Sequence, residues 1–239
     1  MKMGARRAVK AVSDLDDETI PAWQRQSMHR SLQSARARAH ARSNRFVTAA
    51  TQLLQEKGNT DFTVQDVVER SRMSIRTLYK YFPTKEDLLV AVYENVVARD
   101  AVPRLRKSIE KHRDPLLRLR AYIERLLELS GKTGPAGRTL TSYQNRLAES
   151  RPADLARAMK PQFDLLAELI TDISRTRPLR RDLTVETAAR LTHYTVMAAV
   201  QGRVLGSKDA MRIQARTIWQ FCASGMGFAV GSSPSGSRQ

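Results

Sequence analysis

Apolar side chains return every three or four positions along most of this chain, and the places where that rhythm fails divide it into helices. Phe46, Ala49, Ala50, Leu53 and Leu54 form one stripe, predicting a helix from about 36 to 57 that Gly58 ends as a C-cap. Val64, Val67 and Val68 predict a short second helix capped by Thr63. Ile75, Leu78, Tyr79 and Phe82 keep the period in a third, capped by Ser74, while Arg76, Thr77 and Lys80 point elsewhere. Pro83 closes that helix, because the residue before a proline avoids the helical region, and Thr84 caps the next, with Glu86 and Asp87 in its first turn.

The next stripe, Leu88, Leu89, Val92, Val96 and Val97, predicts a helix from Lys85 to about Lys111 that Pro103 kinks or breaks. Asp114 and Pro115 open another, carrying Leu116, Leu119, Tyr122, Ile123, Leu126 and Leu127 as far as Gly131. A glycine-rich loop from Lys132 to Gly137 leads to a shorter helix over about 138–148. Pro152 begins a long one bearing Leu155, Met159, Phe163, Leu166, Leu169, Ile170 and Ile173, with a kink expected at Pro161. Thr184 caps a helix over about 185–205, Gly206 stops it, and Ser207 caps a last helix to about Ala229. No segment alternates as a strand does, so the fold class is all-α. Residues 1–35 mix charges with little apolar period, predicting a flexible extension in which 21–32 holds a short helix with Trp23, Met28 and Leu32. Residues 231–239 form a Ser/Gly/Pro tail.

The turn between the second and third helices is only two or three residues long, around Arg72 and Met73. So short a turn forces a steep crossing and leaves the third helix exposed, the arrangement of a DNA-reading helix-turn-helix. Phe46, Leu53, Leu54, Phe62, Val67, Leu78 and Phe82 form the expected core of that small domain. Charge agrees with a polyanionic partner: Lys plus Arg is 41 against 24 for Asp plus Glu, a net charge of +17. Arg36, Arg38, His40, Arg42 and Arg45 lead into the first helix, and Arg42 and Arg45 are assigned to DNA phosphates.

Other chemistry finds little support in the residues. The longest apolar stretches, such as 195–200, fall far short of the roughly 20 residues a spanning helix needs, so no membrane partner and a cytoplasmic, nucleoid-associated location are expected. Cys222, the single cysteine, fits a buried packing role. His29, His40, His112 and His193 are scattered, so no metal site is expected. Glu124 and Glu128 suit a solvated helix face, and no phosphate-cradling glycine loop or nucleophile elbow is present. Neither a cofactor nor catalysis is expected.

The run Thr-Leu-Tyr-Lys-Tyr-Phe-Pro-Thr-Lys-Glu-Asp-Leu-Leu, residues 77–89, resembles the DNA-binding domain of the tetracycline-repressor (TetR) family of bacterial transcription regulators. The similarity covers about residues 42–95. One departure stands out: the family usually carries a glycine in the turn, where this chain has Arg72, and a left-handed arginine costs roughly 1 kcal/mol relative to glycine.

The resemblance implies an N-terminal helix-turn-helix domain over 36–84 and a C-terminal ligand-binding and dimerisation domain over 85–230, the first helix of the latter shared between them. By position in the motif, Arg76 and Thr77 reach base edges, Ile75 adds an apolar contact, and Lys80 meets base or phosphate. Thr63, Ser74, Tyr79, Tyr81 and Lys85 hold phosphates. The central helices enclose a small-molecule effector, with Tyr122, Leu126, Tyr143, Phe163, Leu166, His193 and Met197 as candidate lining. The last two helices pair with their copies in a homodimer through Val200, Val204, Ile218, Cys222, Gly225 and Met226. The expected function is a ligand-responsive repressor on a palindromic operator, released by a small hydrophobic effector. The competing expectation is an architectural DNA-organising protein of the same fold with a protein partner in the effector's place.

Overall fold

A computed structural model describes residues 21–131, 135–204 and 206–229. The extension as far as residue 20, positions 132–134 of the expected loop, and the tail lie outside the described residues. By contacts the chain divides into two units, residues 1–45 and 46–239. The first unit is represented by one stretch of helix. Helix α1, Ala22–Lys57, crosses the boundary, so order begins well before residue 36 and no separate short helix forms. Every residue from 22 to 42 except Ala39 is exposed, Trp23, Met28 and Leu32 among them.

The second unit starts at Phe46, and all its regular secondary structure among the described residues is helical. Its helices are α2 (Val64–Ser71), α3 (Ile75–Tyr81), α4 (Lys85–Val96), α5 (Val102–Ile109), α6 (Pro115–Gly131), α7 (Pro135–Ser150), α8 (Pro152–Ser174), α9 (Val185–Val204), α10 (Lys208–Arg212) and α11 (Ala215–Gly225). The seven residues expected to form the small N-terminal core are all buried. Phe46 and Phe82 meet edge to face, 6.5 Å between ring centres. The larger core gathers the stripes of α4, α6, α8, α9 and α11, with Leu119, Ile123, Leu166, Ile170, Val196 and Ala223 among its buried members.

Helix starts follow the expected local chemistry. Thr63 and Asp66, then Thr84 and Asp87, form reciprocal capping boxes at the heads of α2 and α4. The Ser74 hydroxyl accepts the Thr77 N–H at 3.2 Å, and the Asp114 carboxylate accepts the Leu116 N–H at 2.6 Å. Gly58 and Gly206 end α1 and α9 in the left-handed region, at φ 66° and 75°. Arg72 joins them at φ 54°, the one non-glycine with positive φ among the described residues. Its N–H donates to the Glu69 carbonyl and the Met73 N–H reaches back to Val68, closing α2 in a Schellman-type turn.

Three expectations about helix continuity change. Pro103 neither breaks nor ends the helical path: α4 runs into a π-helical segment, Val97–Ala101, whose end is bonded by the Val102 N–H to the Val97 carbonyl five residues back. The widened turn accommodates a proline that cannot donate its own bond. Helix α7 begins at Pro135, taking in part of the expected loop. The last helix is two: Ile213 and Gln214 are extended and separate α10 from α11. Arg203 on α9 holds the break open by donating to the Ile213 carbonyl at 2.7 Å. Close packing of α9 on α10 is set by Gly202, where a Cβ would stand 2.6 Å from that of Ala210.

The turn at Arg72 yields a stability test. Arg72→Gly removes the left-handed penalty but adds chain entropy to the unfolded state, for an expected net gain of about 0.5 to 1 kcal/mol. Urea unfolding would show it as a higher midpoint at unchanged slope. Arg72→Ala keeps the Cβ and should give no such gain.

Candidate nucleic-acid interface and effector core

Helix α3 is held from beneath and leaves its upper face to solvent. Leu78 and Phe82 are buried, whereas Arg76, Lys80, Ile75 and Tyr79 are exposed, the last two at 45% and 48%. The apolar period of α3 is therefore split between core and surface. Two large apolar side chains on the open face of so short a helix, flanked by cations, mark an interaction surface.

The neighbouring polar groups vary in how far they are already engaged. The Ser74 and Thr77 hydroxyls lie 2.8 Å apart; one proton bridges them and the other is left to donate outward. The exposed Thr63 hydroxyl accepts the Asp66 N–H at 3.1 Å. Tyr81 is half-buried. The Lys85 ammonium donates to the Thr60 carbonyl at 2.6 Å and lies 5.0 Å from the centre of the Phe62 ring. It retains two further donors. Arg42 and Arg45, in the first unit, are exposed.

The segment that follows α3 is tied to the later helices. Asp87 accepts from the Thr84 N–H at 3.1 Å and hydroxyl at 2.8 Å, and also from Arg151 at the α7–α8 junction at 2.8 Å. Thr84, then Arg151, hold its carboxyl below the usual aspartate range. Arg157 on α8 pairs with Glu94 on α4 at 2.7 Å. On α7, the Thr139 hydroxyl donates to the Gly58 carbonyl at 2.5 Å, and the Tyr143 hydroxyl points at the Glu86 carbonyl, 3.4 Å away.

The candidate effector residues do not form one group. Tyr122, Leu126, Leu166 and His193 are buried where α6, α8 and α9 pack on one another, with Phe163 and Met197 half-buried. The His193 ring lies 4.5 Å from that of Phe163. Tyr143 sits apart, packed on Tyr93 at 6.5 Å and directed at α4. Sequence reasoning missed Gln162, a buried polar residue on α8 whose amide nitrogen has no partner. The Tyr122 hydroxyl and His193 Nδ1 are likewise buried without partners. Burial lowers the His193 pKa to about 4 and, outweighing the opposing influence of the neighbouring Gln162 amide, raises that of Tyr122.

The expected dimer residues differ in exposure, Gly225 being exposed. Val200, Ile218, Cys222 and Met226 are buried within the single chain, and Val204 is half-buried. Leu191 and Tyr194 on α9 and Phe221 on α11 are exposed, Phe221 at 70%. Leu191 and Phe221 line a mainly apolar groove of about 330 Å³ together with Cys222, Gly225 and Met226, three of the expected dimer residues.

Among the described residues no helix is long and apolar enough to cross a membrane, and no three His, Cys, Asp or Glu side chains are grouped to hold a metal. Residues 46–92 match the family model described as "Bacterial regulatory proteins, tetR family". The chain is 33% identical over 79 residues to an uncharacterized HTH-type transcriptional regulator of Mycobacterium tuberculosis, a stretch covering 33% of this chain and 37% of that one. The counterpart in Mycobacterium bovis matches equally. The match thus spans little more than a third of these curated relatives. Among solved structures, Thermus thermophilus FadR, a repressor in complex with lauroyl-CoA, superposes with a TM-score of 0.61 at 20% identity, covering 82% of this chain and 100% of that one. RolR in complex with resorcinol gives 0.62 at 19% identity, covering 80% and 94%.

His193 supplies a pH test. The unfolded chain takes up its proton near 6.5 and the folded chain only near 4, so between those values protons favour unfolding. Stability is complete above pH 6.5 and falls by on the order of 3 kcal/mol towards pH 4. Chemical denaturation across that window would show the slope, and His193→Leu should flatten it.

Proposed function

We propose that this helix-turn-helix transcriptional regulator of the tetR family works as a homodimer on a palindromic operator and leaves it when a small effector enters the second domain. The observation that carries the reading is the double use of Asp87. One carboxylate caps the helix that follows the reading helix and also pairs with Arg151 of the effector domain. A rearrangement at the α7–α8 junction therefore acts on the orientation of α3 through a named contact. Effector and DNA oppose each other by preferring different settings of that contact.

The effector is a small, largely apolar molecule carrying hydrogen-bonding groups. Its site lies among Tyr122, Leu126, Gln162, Phe163, Leu166, His193 and Met197, where apolar bulk surrounds polar atoms without partners. Fold relatives that hold lauroyl-CoA or resorcinol support such a role for this architecture. The second copy covers the groove lined by Leu191, Phe221, Cys222, Gly225 and Met226, with the exposed Tyr194 on the same helix as Leu191. Two reading helices one DNA turn apart then meet adjacent major grooves. Arg76 reads guanine, Ile75 and Thr77 meet thymine methyls, and Lys80, Tyr79, Tyr81, Lys85, Ser74, Thr63, Arg42 and Arg45 hold the flanking backbone.

Selection of bound fragments from a random DNA library at physiological salt should enrich a palindrome; binding without an enriched motif would favour the architectural alternative. On the selected site, Arg76→Ala should cost about 1 to 3 kcal/mol and relax the preference at one base position. An unchanged preference would refute the assignment. Once an effector is identified, Arg151→Ala should leave the operator sequence unchanged but shrink effector-driven release by about fivefold or more. Full release in that variant would exclude the Asp87 route.

A further inference from the structure

The exposed part of α1 is a cationic rod. Residues 22–45 contain Arg25, Arg30, Arg36, Arg38, Arg42 and Arg45 with His29 and His40, and no aspartate or glutamate. Almost all of it is exposed, so no packed apolar face accounts for its being helical. At 1.5 Å per residue this stretch is roughly 35 Å long, about one turn of B-form DNA. Arg38, Arg42 and Arg45 share one face by their i, i+4, i+7 spacing, and Arg25 and Arg36, eleven apart, share another. Cations on more than one face suit a helix with phosphates on both sides, as in a groove.

A membrane surface is the other polyanion available, and the sequence of the rod argues against it. An interfacial helix needs a broad apolar face. Trp23, Met28 and Leu32 are the only large apolar residues here, and from Gln33 to Asn44 the non-arginine positions are Gln, Ser, Ala, His and Asn. The same helix continues into the buried Phe46 and Leu53 of the DNA-binding domain, so the rod is covalently committed to a DNA-bound protein.

We propose that residues 22–41 are a second DNA-binding element, a helical arm that grips the sugar-phosphate backbone irrespective of sequence and lengthens the footprint beyond the helix-turn-helix. It adds affinity without adding specificity. The arm does not depend on the operator reading, since its partner is any duplex.

The test compares the full chain with a variant carrying Arg25→Gln, Arg30→Gln, Arg36→Gln and Arg38→Gln, glutamine being a comparable helix former. Binding to a random-sequence duplex is followed against salt. The variant should bind on the order of tenfold more weakly, with the slope of log affinity against log salt reduced by about 0.9 for each phosphate contact given up. Any base preference of the parent chain should survive. An unchanged affinity and slope would overturn the proposal. So would binding of the parent, but not the variant, to phosphatidylglycerol vesicles in preference to the duplex, which would assign the arm to membranes. Far-UV circular dichroism of both proteins must match; a loss of helix in the variant is met by repeating the comparison with the Arg→Lys version, which should restore binding.

Discussion

A helix of seven residues cannot sustain itself in water, and α3, the candidate reading helix, is such a helix. Its existence rests on a few contacts: Leu78 and Phe82 pressed into the core below, the Ser74 cap at one end, and the extended Phe82 followed by Pro83 at the other. Because those contacts all lie on its lower side and its ends, the upper side is free to carry Ile75, Arg76, Tyr79 and Lys80. The small domain serves chiefly to keep α3 helical without covering it. Arg72, forced into a left-handed turn, belongs to the same design, since the crossing of α2 and α3 requires that backbone whatever side chain stands there.

The larger set of helices continues this support. Helix α4 belongs to both cores, and α7 and α8 reach back to Gly58, Glu86, Asp87 and Glu94. The polar atoms left without partners at Tyr122, Gln162 and His193 lie on the same helices that carry these contacts or pack on them. A change in how α6, α8 and α9 close on one another therefore has a short physical path to α4. The path runs through ion pairs and hydrogen bonds that have few alternative geometries.

What could be read from the sequence was what is determined locally. The Thr63, Ser74, Thr84 and Ser207 caps depend on residues within three positions, and each formed where expected. The small core was legible for a similar reason, since its stripes are strong and its helices adjacent. The break at Ile213 and Gln214 was not, because Arg203, ten residues earlier, supplies the partner for the freed carbonyl. Periodicity showed that α9 and α11 are apolar but not which side each turns inward: Val200, Ile218 and Met226 are buried, whereas Leu191, Tyr194 and Phe221 are exposed. Tyr143 and Gln162 show the same limit: a side chain's type does not reveal which of several neighbouring helices will receive it.

The shared carboxylate of Asp87 makes the two ends of its contact unequal under mutation. Any replacement of Asp87 disturbs the start of α4 together with the link to α8, and so damages the reading head itself. Replacement of Arg151 removes the link and Arg151's own ion pair with Asp154 but leaves the Thr84–Asp87 cap in place. Changes at this contact are thus tolerated from one side and penalised from the other. Variation in the link falls on the α8 side, while the start of α4 is held fixed by the cap it shares.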